Sequence, residues 1–154
     1  MANRFFNQFG GTLERKVIKL FAKINFVAGA PVLVTSEVIN AGTSPVTVNP
    51  SQGIESISSP GAGRINIVLG SYNGGVPSYD TYSRLLSVNT AVVGTISANN
   101  IISSLVSDDN VDGASGNPSL EITFIATGAG PGPGFPDNGQ VLLVEITLSN
   151  STAY

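Results

Sequence analysis

Alternating apolar and polar residues are the clearest pattern along this chain of 154 residues. Side chains two positions apart lie on the same face of a β-strand, so strict alternation predicts a strand with one buried face. Residues 140–149 and residues 119–127 both alternate in this way. Their apolar positions are Leu142, Val144, Ile146 and Leu148 in the first segment and Leu120, Ile122, Phe124 and Ala126 in the second. We predict that both segments are strands that pack these residues into a core.

Further strands are predicted where short runs rich in Val, Ile and Thr are bounded by Gly, Pro and Asn. β-Branched residues suit a pleated sheet, and the bounding residues favour turns. The runs are residues 31–40, 45–48, 64–69 and 91–98. A chain of this length fits one domain. The sequence therefore predicts a mainly β fold, a single-domain antiparallel β-sandwich or barrel with an N-terminal arm and at most one short helix.

The short helix is predicted within residues 77–86. Tyr79, Tyr82 and Leu85 follow one another at intervals of three, which places them on one face of a helical turn. We expect this turn to cover an open end of the sheets.

Residues 13–26 fit both a helix and a strand. A helix would align Leu13, Val17 and Leu20, whereas a strand would set Leu20 and Ile24 opposite the lysines of the segment. We favour the strand, because the alternation continues to residue 26 and then meets a Gly-Ala-Pro turn, as in a hairpin.

The N-terminal part of the chain combines clustered aromatic residues with positive charge. Residues 1–23 contain five cations and one acid, a net charge of +4, whereas the remainder contains two cations and nine acids, a net charge of −7. The cations are Arg4, Arg15, Lys16, Lys19 and Lys23, and the aromatic residues are Phe5, Phe6 and Phe9. Chain ends are usually poorly ordered unless something ties them down. We predict that residues 1–11 form an arm that docks on an acidic protein surface, and that residues 12–154 form the β domain.

A second interpretation of the same residues remains open. The phenyl rings of the N-terminal part would cap the protein's own core, and the lysines would line a solvated strand face. Nucleic acid is an unlikely partner, because five cations beside an acidic body make a poor phosphate-binding footprint.

The composition excludes several classes of enzyme. The chain has no Cys and no His, which rules out cysteine nucleophiles, Ser-His-Asp triads and thiolate metal sites. We expect no catalysis. Charged residues make up only 11% of the chain, so its surface of hydroxyls and amides can meet another protein at low desolvation cost. No apolar run approaches the ~20 residues of a membrane helix, and we expect synthesis in the cytoplasm without membrane association.

Two loops offer weak candidate sites. Asp108, Asn110 and Asp112 precede Gly113 with the spacing of a Ca²⁺ loop, but Ser119 stands where that motif needs a bidentate Glu. An ordinary turn is the favoured interpretation, and no cofactor is expected. The second loop, residues 128–139, is predicted to be long and exposed. Phe135 lies near its tip and is a candidate for contact between copies of the chain.

Several segments together resemble small virion structural proteins of tailed bacteriophages. The resemblance covers about half of the chain and rests on packing and turn patterns, while residues 41–50 and 128–137 look like additions. The matching segments are residues 12–17, 20–26, 28–31, 53–57, 79–86 and 139–146.

The resemblance implies a capsid decoration or cement protein, present in many copies on the virion surface. Its partners would be the major capsid protein and other copies of itself, in a homotrimer. The docking residues would be Arg4, Phe5, Phe6, Phe9, Arg15, Lys16 and Lys19, with Phe135 as a lesser candidate. A tail or baseplate component and a carbohydrate-binding β-sandwich module are the alternatives.

Overall fold

The computed structural model describes residues 17–42, 44–70, 82–94, 101–110, 118–126 and 132–150. These residues form eleven strands, all paired antiparallel, and contain no helix. The strands are β1 (Val17–Val27), β2 (Ala30–Leu33), β3 (Glu37–Ala41), β4 (Ser44–Val48), β5 (Ile54–Gly61), β6 (Arg64–Leu69), β7 (Tyr82–Val93), β8 (Ile101–Asn110), β9 (Ser119–Ala126), β10 (Gly132–Pro133) and β11 (Val141–Asn150). The predicted mainly β fold is confirmed.

The strands form two main sheets and one separate hairpin. The first sheet has the order β2-β1-β11-β7. In the second sheet, β9 lies between β6 and β8, β5 pairs with the far side of β6, and β10 pairs with the end of β9. β3 and β4 pair only with each other among the described strands. The architecture is a sandwich-like pair of sheets and not a closed barrel.

The core lies between the two sheets. Even-numbered residues within 20–26 of β1, 120–124 of β9 and 142–148 of β11 and odd-numbered residues within 65–69 of β6 point into it, as the alternation predicts. The rings of Phe26 in the first sheet and Phe124 in the second meet edge to face, with centroids 6.4 Å apart. The buried residues are Leu20, Ala22, Ile24, Phe26, Ile65, Ile67, Leu69, Leu120, Ile122, Phe124, Leu142, Val144, Ile146 and Leu148.

The strand prediction for the N-terminal basic segment is confirmed over Val17–Val27. This strand ends in a two-residue turn in which Ala28 has φ 51° and Gly29 has φ 79°. Two positive φ values are typical of a type I′ hairpin turn, which matches the twist of the flanking strands. The turn reverses the chain into β2.

The helix predicted within residues 77–86 is wrong where the structure describes it. Tyr82–Leu86 belong to β7, which pairs with β11 along its full length, while residues 77–81 lie outside the described residues. The predicted strand over residues 91–98 accordingly begins earlier, at Tyr82. The ladder to β11 satisfies the backbone of this segment, so three apolar residues at helical spacing do not make a helix.

Three further differences from the sequence prediction are one interrupted run and two additional strands. The run of residues 31–40 is interrupted after Leu33: Val34 still donates its N–H in register to the carbonyl of Lys23 at 2.8 Å, but the N–H of Lys23 donates to the Ser51 hydroxyl, so the pairing of β1 with β2 ends there. β5 and β8 are strands that the sequence analysis did not predict.

Candidate docking surface

The outer face of the first sheet is polar at one end. Odd-numbered residues within 19–27 of β1 and 141–149 of β11 point outward, because their even-numbered neighbours fill the core. Lys19, Thr147 and Ser87 lie abreast across β1, β11 and β7 at this end. Lys19 also reaches along the face to Glu145, with 2.9 Å between its Nζ and the carboxylate Oε1. The charges at this end therefore neutralise each other.

The opposite end of the same face is apolar. Val32, Asn25, Val141 and Val93 lie abreast across the four strands, and Leu143 follows Val141 on the same face. The exposed fractions are 47% for Val32, 52% for Val93 and 42% for Leu143. We call Val32, Val93, Val141 and Leu143 the apolar patch. Its residues are uncharged and lie on three strands of one four-stranded sheet, whose pairing holds the side chains in fixed relative positions.

Asn25 is the polar member of the row that crosses the patch. Its side-chain Oδ1 is buried and has no hydrogen-bond partner among the described residues. A buried acceptor without a donor destabilises the folded state. The amide of Asn25 therefore lowers the free energy of unfolding of this protein.

Lys23 lies at the boundary of the patch and holds residues 35–50, which we call the excursion, against the sandwich. It lies abreast of Leu143, and its Nζ pairs with the Glu37 carboxylate at the start of β3. Its backbone bonds both ends of the excursion: Val34 N–H donates to its carbonyl, and the Ser51 hydroxyl lies 3.0 Å from its N–H nitrogen. The excursion contains β3 and β4. The residues on either side of it, Val34 and Ser51, are thus both hydrogen-bonded to the backbone of Lys23.

The hairpin on this excursion also exposes apolar side chains. Ile39 and Val46 are directly opposite each other on one face of the hairpin, and Val38 lies on the other face with 60% of its surface exposed. Ile39 and Val46 are each about half exposed. The hairpin and the patch together give the described structure two neighbouring apolar surfaces, joined at Lys23.

The structure places only part of the predicted docking set. Lys19 lies in β1 at the polar end of the outer face and is engaged by Glu145. Its predicted docking role stays a prediction, and the structure adds that its cation is paired with this carboxylate. The other basic and aromatic residues of the set lie outside the described residues, as does the arm of residues 1–11. These residues are Arg4, Phe5, Phe6, Phe9, Arg15 and Lys16.

Phe135 does not stand at the tip of an exposed loop. It is half-buried and packs against the core, with its ring centroid 5.9 Å from that of Phe26. The neighbouring Pro136 is buried, and β10 holds the preceding residues against β9. The expected exposure of Phe135 is corrected, because this apolar ring covers an end of the sandwich.

The candidate calcium loop differs from the prediction in its backbone. Asp108 and Asn110 belong to β8, and Asn110 pairs with Ser119 of β9, so they extend a strand instead of beginning a tight loop. Asp112 lies outside the described residues. Within the described ranges, no group of three or more acidic side chains is placed to hold a metal ion.

The outer face of the second sheet has a different character. Arg64 and Glu121 form a bidentate ion pair there, with nitrogen–oxygen distances of 2.9 and 2.8 Å. An open depression of about 250 Å³ lies beside this pair, and none of the residues that line it is aromatic. The lining residues are Pro60, Asn66, Ser119, Leu120 and Glu121. The depression offers polar groups but no ring on which a sugar could stack.

The apolar patch was missed at the level of sequence, although a signal for it exists. In residues 140–149, Val141 and Leu143 occupy the face that also carries Glu145 and Thr147. An apolar residue on the polar face of an alternating strand needs a covering partner or stays exposed. That exception to the alternation was the signal.

Comparison with protein-family models, with curated proteins and with solved structures found no match. Within the part of the chain that the structure describes, no helix has the length and apolar character required to cross a membrane.

Proposed function

We propose that this chain is a structural protein of a tailed-bacteriophage particle, a decoration or cement protein that binds the outer surface of the capsid shell. The observation that carries the proposal is the apolar patch of Val32, Val93, Val141 and Leu143. A second support is the resemblance of the chain's segments to small virion proteins.

The patch has the properties of a surface that another protein covers. Val32, Val93 and Leu143 are about half exposed, and burying the remaining half of each side chain contributes about 1 kcal/mol apiece. The patch residues themselves carry no charge that would have to be stripped of water, and Lys23 at the boundary is paired with Glu37. Several such contacts, repeated over the many copies of a particle, would clamp neighbouring shell subunits.

The arm supplies a second attachment point in this proposal. The described chain begins at Val17, which pairs with Ser149 beyond the polar end of the outer face. The described part of β1 therefore begins at the end of the sandwich opposite the patch, and residues 1–11 precede it in sequence. Phe5, Phe6 and Phe9 would anchor in apolar pockets of the shell protein, with Arg4, Arg15 and Lys16 against acidic groups.

The test is co-sedimentation with empty shells of the encoding phage that were assembled without this protein. Leu143→Glu places a charge in the patch, and Leu105→Glu is its matched control. Leu105 is also an exposed leucine on a strand, but it lies on the outer face of the second sheet. We expect Leu143→Glu to weaken binding by about tenfold or more and Leu105→Glu to bind as the unmodified protein does. Thermal unfolding of both variants checks that they are folded.

A third variant lacks residues 1–11 and tests the arm separately. We expect it to remain folded and to lose binding as well. If Leu143→Glu and the truncated chain both bind shells undiminished, the proposal is wrong. Binding of the unmodified protein to purified tails and not to shells would also overturn it, in favour of a tail or baseplate component.

A further inference from the structure

The β3–β4 hairpin has one open backbone edge and one blocked edge. Pro45 of β4 lies opposite Asn40 of β3, and proline has no N–H to donate to a ladder. A proline inside a strand therefore has its nitrogen on the outer edge. Backbone groups alternate in direction, so Thr47 also faces outward on β4, and the opposite residues Val38 and Asn40 face outward on β3. β3 presents N–H and C=O groups along its edge, whereas Pro45 interrupts the edge of β4.

The open edge is accompanied by exposed apolar side chains. Val38 and Ile39 of β3 are 60% and 49% exposed. Ile39 lies directly opposite Val46 of β4, so the two form an apolar row across the hairpin. An isolated two-stranded hairpin is marginally stable in water. Among the described strands, none other than β4 covers β3. This edge is suited to receive one more strand.

We propose that this strand is β3 of a second copy of the chain, paired antiparallel about a two-fold axis at Ile39. In this register, Val38 of one copy lies opposite Asn40 of the other, and Ile39 lies opposite Ile39. All five residues of β3 are then paired. The result is a four-stranded sheet shared between two copies.

The sequence of β3 is complementary to itself in this arrangement. Glu37 lies opposite Ala41 of the second copy, so the acids of the two strands do not face each other, whereas a register centred on Glu37 would oppose like charges. On one face, Val46 and Ile39 of each copy form a continuous apolar row of four side chains across the sheet. Pro45 blocks both outer edges of that sheet, so pairing stops at two copies and does not continue into a fibre. Because β3 is complementary to itself in this register and because the resulting sheet has no open edge, a second copy is favoured over an unrelated strand.

Disulfide trapping tests the register directly, because the natural chain has no cysteine. Ile39 bonds inward to β4, so Ile39 and Ile39 of the second copy form a non-hydrogen-bonded pair with Cα atoms about 4.5 Å apart, within disulfide range. The matched control is Val46→Cys, on the same face but one strand further from the two-fold axis. Two Val46 residues would be separated by three strand spacings, about 14 Å. We expect Ile39→Cys to form a disulfide dimer under mild oxidation and Val46→Cys to remain monomeric.

Sedimentation equilibrium of the full chain tests the backbone contribution. Asn40→Pro removes an outward N–H from the open edge, and Thr47→Pro makes the same change on the blocked edge. We expect Asn40→Pro to raise the dimer dissociation constant about tenfold or more and Thr47→Pro to change it less than about twofold. A chain that stays monomeric, or an Ile39→Cys variant that cross-links no better than Val46→Cys, overturns the proposal and leaves the edge to a strand from another protein. The inference does not depend on shell binding, so Leu143→Glu should dimerise normally.

Discussion

The hydroxyl of Ser51 bonds both backbone groups of Lys23. It accepts the N–H of Lys23 at 3.0 Å and donates to the carbonyl of the same residue at 3.3 Å. Ser51 is almost completely buried, and the next residue, Gln52, accepts the N–H of Phe21 at 3.0 Å. One buried side chain therefore takes the place of a neighbouring strand where β2 no longer covers β1.

Replacement of Ser51 by Ala should lower the free energy of unfolding by about 1–3 kcal/mol, because the N–H of Lys23 is left without a partner in a buried position. Urea unfolding measures the change. Ser58→Ala is the control, since Ser58 is exposed on β5, and we expect it to stay within about 0.5 kcal/mol of the natural protein. Equal effects of the two substitutions would contradict a special role for Ser51.

Gly63 should tolerate a side chain less well than Gly29 does. It has φ 67°, and a Cβ there would overlap the amide nitrogen of Gly134 and lie 2.9 Å from the carbonyl oxygen of Phe124. Gly29 has a similar φ of 79° but nothing within 4 Å of its Cβ position. We expect Gly29→Ala to cost about 1–2 kcal/mol from backbone strain alone, and Gly63→Ala to cost about 1–3 kcal/mol more because it also displaces β10. Equal losses of stability in chemical denaturation would show that the close approach is unimportant.

The β1–β2 turn should be improved by a residue that accepts a positive φ. Ala28 has φ 51°, a conformation that disfavours Ala but that Asn tolerates. Ala28→Asn should raise the free energy of unfolding by about 0.5–1 kcal/mol, and Ala28→Val should lower it, because β-branched residues are the least suited to this region. The backbone N–H of Ala28 donates to Oδ1 of Asn138, a bond whose donor neither substitution removes. Thermal unfolding should rank the three proteins as Asn, Ala and Val in order of decreasing stability.

Removal of the buried amide at position 25 should stabilise the fold. Asn25→Leu has nearly the same shape and eliminates an acceptor that has no partner among the described residues. We expect a gain of about 1–2 kcal/mol in the free energy of unfolding. Asn25→Asp, which keeps the oxygens and adds charge, should be destabilising. A loss of stability in the Leu variant would indicate that the amide makes a bond essential to the fold.

The sequence predicted the strands whose alternation is unbroken. β1, β6, β9 and β11 each hold one face against the core, so every second residue had to be apolar. The unpredicted strands β5 and β8 contain register shifts, between Ile54 and Ser56 in β5 and between Ile101 and Ser103 in β8. A bulge adds one residue and reverses the alternation beyond it. Pattern analysis therefore fails at these points for a physical reason.

The incorrect prediction of a helix within residues 77–86 also results from a β-bulge. The ladder between β7 and β11 shifts register next to Leu148, which pairs with Leu85, while the preceding Thr147 pairs with Ser87. Leu86 is the extra residue, and the shift breaks the period of two that would have identified the strand. The remaining apolar residues then fell by chance at a spacing of three.

The candidate site was less predictable than the fold. Lys19 and Phe135 were recognised as unusual residues, but their partners Glu145 and Phe26 are more than 100 positions away in sequence. Such contacts depend on how the strands are ordered in the sheets, which local patterns do not specify. Leu143 was visible as an apolar residue on a polar face, but its exposure depends on what covers the sheet.

The attachment of residues 35–50 to Lys23 affects how freely this part of the chain can change. Val34 and Ser51 both bond the backbone of Lys23, so the two ends of the excursion are held together by the sandwich itself. Each doubling of the length of a loop with fixed ends costs only about 0.6 kcal/mol in closure entropy. A longer, shorter or unrelated sequence inserted between these two residues would leave the core contacts of β1 unaltered. The excursion is therefore a natural site for grafting a foreign peptide or for the divergence of related chains.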